Sequence, residues 1–172
     1  MARAVDFGGA RLLWFAAMTI QAGLYRTTQA HPFDPQSIPA NALVYVGDAR
    51  NGGGQFVVRP GRNVHNRWYW GEPVTPLTDP LWERTLKRLP PEGFYTLPDD
   101  LRVGDSGVWR KNAIVQLGYN PEGEGILFVG ERHDGLEVNA LFFAERGVRI
   151  PDDLLFRLVW APILPVSPPQ NA

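Results

Sequence analysis

The stretch RPGRNVHNRWYWGEP, residues 59–73, sets Arg59, Arg62 and Arg67 around Trp68, Tyr69 and Trp70. Guanidinium groups interleaved with aromatic rings can hold phosphates while bases stack, or they can anchor a protein partner. Successive residues of a strand face opposite ways, so Trp68 and Trp70 are expected to point together into a core or an interface. Protein subunits are therefore the favoured partners, and nucleic acid is not expected. Metal chemistry has less to draw on. His31, His65 and His133 lie far apart, without ligand spacing such as H-x-x-x-H, and the chain has no cysteine. The glycine-rich runs GGARLL and NGGGQ lack the strand-to-helix setting and the following Lys or Ser of a phosphate cradle. No metal and no cofactor are expected.

The run Gly104-Asp105-Ser106-Gly107 resembles the nucleophile motif of the chymotrypsin-like serine peptidases, a family built from two β-barrels. The resemblance implies that Ser106 attacks and that the N–H groups of Gly104 and Ser106 form the oxyanion hole. It also implies that His31, in TTQAHP, is the general base, with Asp48 or Asp79 orienting it. The chain order His, Asp, Ser fits that family. Two features depart from it. Asp79 stands too close before Ser106 to leave room for most of a second barrel, and Asp48 sits in the turn-like GDARNGG. Val108, Trp109 and Arg110 follow the motif, where the family usually has small residues and proline. Gly, Asp and Ser are also common turn formers, so a turn is the expected role and a peptidase the alternative.

Any such site must be held by short strands. Gly 18 and Pro 16 in 172 residues favour many turns over long helices, while 44% hydrophobic residues suffice for a core. Six Trp and nine Phe suit β-rich cores and interfaces alike. The net charge of −1 supplies no global field toward nucleic acid or membrane. The halves differ, though. Residues 1–90 carry ten Lys/Arg and six Asp/Glu; residues 91–172 carry seven and twelve. Such asymmetry could bring copies together head to tail.

The chain also reads as if written twice. Gly23 and Tyr25 match Gly93 and Tyr95, and Asn41, Ala42, Val44 and Gly47 match Asn112, Ala113, Val115 and Gly118. Phe56 and Val57 then match Phe128 and Val129; Asn66 and Glu72 match Asn139 and Glu145; and Val74, Asp79 and Leu81 match Val148, Asp153 and Leu155. The offset lengthens from 70 to 74 in single steps. Stepwise drift is how a duplicated domain diverges, since loops tolerate insertion.

The expected fold is therefore mainly β, with two small barrels of SH3-like or similar type related by internal duplication. A short helix closes each, over residues 78–89 and 151–160, with Thr78 or Asp79 as the first N-cap and Pro80 in the first turn. The expected divisions are an apolar N-terminal segment 1–22, β repeats at 23–90 and 91–160, and a Pro-rich tail 161–172. The apolar run 12–25 is too short and interrupted to span a membrane, and Asp6 argues against a signal peptide. The functional expectation is a non-catalytic structural or assembly protein acting through contacts with copies of itself or with other assembly subunits. A phage-particle component (capsid decoration, head–tail junction or tail) is one such class, in a virion or the cytoplasm. A small binding or immunity-type module is a further alternative. The expected interface comprises Trp14, Phe15, Arg59, Arg62, Arg67, Trp68 and Trp70.

Overall fold

The computed structural model describes residues 20–49, 52–105, 107–131 and 141–161. The apolar segment with Trp14 and Phe15, the tail after Ala161, Ser106 and His133 lie outside the described residues.

In the first half, β1 (Gly23–Thr27), β2 (Leu43–Asp48), β3 (Gln55–Val64), β4 (Arg67–Pro76), α1 (Pro80–Glu83) and β5 (Leu86–Arg88) follow in order. They make an antiparallel sheet ordered β4-β3-β2-β1-β5. In the second half come β6 (Gly93–Thr96), the hairpin of β7 (Leu101–Val103) and β8 (Gly107–Trp109), then β9 (Ile114–Tyr119) and β10 (Gly125–Glu131). The chain continues through β11 (Phe142–Phe143), β12 (Val148–Arg149), α2 (Asp152–Leu155) and β13 (Val159–Trp160). Their sheet runs β11-β10-β9-β6-β13, with β12 also on β10. Neither path closes on itself among the described residues, so the expected barrels are open sheets.

The expected helices are single turns. Asp79 caps α1 by accepting from the N–H groups of Leu81 and Trp82, with Pro80 at the start, and residues 86–88 are strand. Pro80 suits that place because its missing N–H would have had no intrahelical partner.

Local physics explains why some matched positions are alike. Asn41 and Asn112 both adopt positive φ, 54° and 66°. Their N–H groups bond to Thr27 and Leu97 carbonyls, and Asn tolerates this conformation where most residues do not. The hydroxyls of Tyr25 and Tyr95 each donate to the carbonyl four residues back, Gln21 at 2.6 Å and Pro91 at 2.8 Å. Elsewhere strand register overrules the sequence matches. Gly47 faces Phe56 across β2–β3, and Gly118 faces Ile126 across β9–β10. Phe56 is thus placed like Ile126, not like Phe128. Likewise Asp79 stands before α1 where Pro151 stands before α2. In a strand, two-residue slips keep side chains on the same face, so an apolar pattern cannot reveal them.

Tyr25, Val44, Val46, Val57 and Trp82, with Ile38, form the core of the first half. Tyr95, Val115, Leu117, Leu127 and Leu154 hold the corresponding places in the second. That second core is also packed against Leu24, Leu43 and Leu89, from the opposite face of the first sheet. The two halves therefore share buried apolar surface.

Polar bonds cross the same seam. His65 and Asn66 form the two-residue turn between β3 and β4, both at positive φ (49° and 63°), the geometry that matches strand twist. Gln116 donates to the His65 carbonyl at 3.1 Å, and the Trp68 indole N–H donates to the Tyr119 carbonyl at 2.8 Å. Asp152 accepts from Arg26 and, at 2.6 Å, from Lys87. The Arg26 guanidinium, followed by Lys87, holds the Asp152 carboxyl below the usual carboxylate range against opposing desolvation. Part of the charge asymmetry is therefore satisfied within one chain.

Candidate binding groove

β2 begins Leu43-Val44-Tyr45-Val46-Gly47, apolar on both faces. Such a strand is expected to be covered on both sides. Val44 and Val46 enter the first core and Leu43 the shared one. Tyr45, next on the Leu43 face, is only half-buried and packs at the margin of the shared core with Trp68 and Trp70. Beyond that margin the sheet face is an open groove of about 800 Å³, lined chiefly by Tyr45, Phe56, Val58, Trp70, Glu72 and Pro73.

Three features of the chain shape it. The Tyr45 and Trp70 rings lie 5.4 Å apart, tilted by 37°, an arrangement favoured by the aromatic quadrupoles. Gly47 allows the floor to close: a Cβ there would come within 3.0 Å of the Tyr45 ring and 3.1 Å of Phe56. Register shifts between Val57 and Arg62 interrupt the β3–β4 ladder. Irregularities of this kind bend a strand and re-aim its side chains.

β4 sorts the basic and aromatic stretch by face, as its alternation requires. Trp68 and Trp70 are half-buried on the groove side, while Tyr69 is 58% exposed. The Arg62 guanidinium lies 5.5 Å from the centre of the Tyr69 ring. Arg59, Arg62 and Arg67 are all exposed. Among the described residues of the expected interface, the tryptophans are half-buried and the arginines exposed.

The residues named for acyl transfer are brought to other duties. His31 is buried, and its Nδ1 accepts from the N–H groups of Asp34 at 3.2 Å and Phe33 at 3.4 Å. A triad needs Nδ1 to donate to a carboxylate. Asp79 is turned to its helix cap, and Asp48 accepts from Gln55 at 2.9 Å. Gly104 and Asp105 form the turn of the β7–β8 hairpin, with Val103 paired to Gly107. Among the described residues no group of three or more His, Cys, Asp or Glu side chains could hold a metal ion, and no helix is long and apolar enough to cross a membrane.

Glu92, which belongs to no motif, holds the backbone of Trp68 beside the groove. Its Oε2 accepts from the Trp68 backbone N–H at 3.1 Å, while its Oε1 is sealed from water without a partner. Burial raises its pKa, opposed by the Trp68 N–H and the Arg67 charge. A raised folded-state value means this group's stability contribution is present below the ordinary Glu value and lost as pH rises through the folded value. Glu92→Gln should therefore melt above the wild type at pH 7 and converge with it below about pH 4. Thermal melts across pH would check this. A variant that melts below the wild type at pH 7 and converges with it only in acid would show that the ionised carboxylate is the favoured form.

Comparison with protein-family models, with curated proteins and with solved structures finds no significant match for the chain.

Proposed function

We propose that this protein works by contact, as a non-catalytic structural or assembly component whose groove on β2–β4 docks a protein segment. The observation that carries this reading is the groove itself: an open, aromatic sheet face, apolar at its floor, on a rigid shared core. Rigid aromatic anchors in a recess give the most binding free energy per residue lost to disorder. The exposed Val74 at the groove's end, 36% accessible, extends the apolar strip. We further infer that the halves descend from one duplicated unit. The common strand order, the matching Asn and Tyr bonds and the corresponding core positions support it.

The test is solution mass by light scattering across a concentration series. Full-length protein should grow beyond the 19.2 kDa of one chain as concentration rises. The double variant Glu72→Arg/Val74→Glu, on exposed positions of the groove, should remain monomeric with an unchanged circular dichroism spectrum. A wild type that stays monomeric throughout, or a variant that associates equally well, would remove the groove from any role in self-assembly.

A further inference from the structure

No acidic residue stands between Asp48 and Glu72, and that interval holds Arg59, Arg62 and Arg67. All three arginines are exposed. Among the described residues none of them has an ion-pair partner, whereas Arg26, Arg110, Arg149 and Arg157 each hold a carboxylate.

The fold gathers the three on one face. Trp68 and Trp70 pack against the shared core, so alternation along β4 turns Arg67 and Tyr69 to the opposite side. Arg62 stands opposite Tyr69 in the β3–β4 register, with its guanidinium over the Tyr69 ring. Arg59 lies on that side too. The Asp34 carboxyl is held below its ordinary range chiefly by hydrogen bonds from Ser37, and the Arg59 charge adds to the effect. The Asp34 N–H in turn donates to His31, whose ring meets Trp82 of the first core.

The other face of the hairpin is fastened down. The His65–Asn66 turn is bonded to Gln116, and the Trp68 indole to Tyr119, both of the second half. The hairpin is therefore not free to enter the major groove of a duplex as a two-stranded ribbon. It offers a platform instead. Three guanidinium forks, suited to phosphate oxygens, surround a tyrosine that is 58% exposed, and a base can stack on such a ring. A protein partner anchors best in a pocket. Neither the Tyr45–Trp70 groove nor the cleft beyond it is lined by Arg59, Arg62, Arg67 or Tyr69. A single strand needs no pocket, because its bases are already bare. The net charge of −1 does not oppose this, since salt confines the field of each charge to about 10 Å.

We propose that the face of the β3–β4 hairpin bearing Arg59, Arg62, Arg67 and Tyr69 binds single-stranded nucleic acid, with the arginines on phosphates and Tyr69 under a base. This is a second activity, on the face opposite the groove, and it does not depend on the docking role proposed there. Solution mass reads assembly and strand binding reads this face, so the two fail separately.

The test is fluorescence anisotropy of a labelled twelve-nucleotide oligothymidylate titrated with full-length protein. Three phosphate contacts on a single strand give a log–log salt slope of roughly −2, an affinity loss of about twenty-fold between 50 and 200 mM salt. Arg62→Ala should bring the slope to roughly −1.4. Tyr69→Ala should weaken binding about 5- to 150-fold, while Tyr69→Phe, which keeps the ring, should bind like the wild type. Arg59→Glu/Arg62→Glu should abolish binding with an unchanged circular dichroism spectrum, since both positions are exposed. No anisotropy change at 100 µM protein in 50 mM salt, or binding that survives the double charge reversal, would overturn the proposal. Equal affinity for a duplex of the same length, whose base faces are hidden, would overturn it too. Equal competition by polyglutamate would reassign the face to an acidic protein segment.

Discussion

Leu117→Ala is expected to destabilise the protein by about 2–5 kcal/mol, and to do so in both halves at once. Leu117 is fully buried in β9, between β6 and β10, at the centre of the shared core. Its removal leaves a cavity that strands paired on both sides cannot collapse around. The loss is a large fraction of the roughly 5–15 kcal/mol by which domains of this kind are stable. Leu24, Leu43 and Leu89 of the first half pack in the same cluster, so the first sheet loses support together with the second. Urea unfolding followed by far-UV circular dichroism and by tryptophan emission should therefore shift as one coincident transition. Trp82 reports on the first core, and Trp109 packs against the shared one. Two separated transitions, with only the second half weakened, would mean that the halves are energetically independent despite their contact.

Trp82→Ala is the complementary case, because Trp82 belongs to the first core alone. Its ring is 4% exposed, meets the His31 ring edge-on at 4.7 Å, and donates through its indole N–H to the Gln29 carbonyl at 3.1 Å. Truncation should cost about 3–5 kcal/mol, since it removes a large buried surface and orphans a carbonyl partner. For a chain of this size that is a fall in Tm of roughly 6–20 °C. Trp82→Phe, which keeps most of the ring contact and loses the hydrogen bond, should lie between the variant and the wild type. Calorimetry distinguishes the outcomes. A Tm within a degree or two of wild type would show that the Trp82 side of the loop is dispensable. Such a result would also detach His31 from its structural role and return attention to it as a functional group.

The sequence alone was sufficient for the β class, for Asp79 and Pro80 opening a helix, and for Trp68 and Trp70 sharing a face. It was also sufficient for the hairpin at Asn120–Gly125, where the Asn120 and Glu124 side chains brace a Gly123 turn of positive φ. These depend on local rules: caps, alternation, and which residues tolerate unusual φ. Open sheets in place of closed barrels, the register of β3 and of the second helix, and the shared core depended on tertiary packing. A slip of two residues preserves face and hydropathy, so Phe56 could be matched to Phe128 on paper while the strands align it with Ile126. Arg26, Lys87 and Asp152 carry no motif, and only the folded chain brings them together. The groove itself was hidden for the same reason. Tyr45, Phe56 and Val58 read as ordinary core strand residues, and what exposes them is where the second half stops covering the first, a boundary set by the packing of two sheets and not by any one strand.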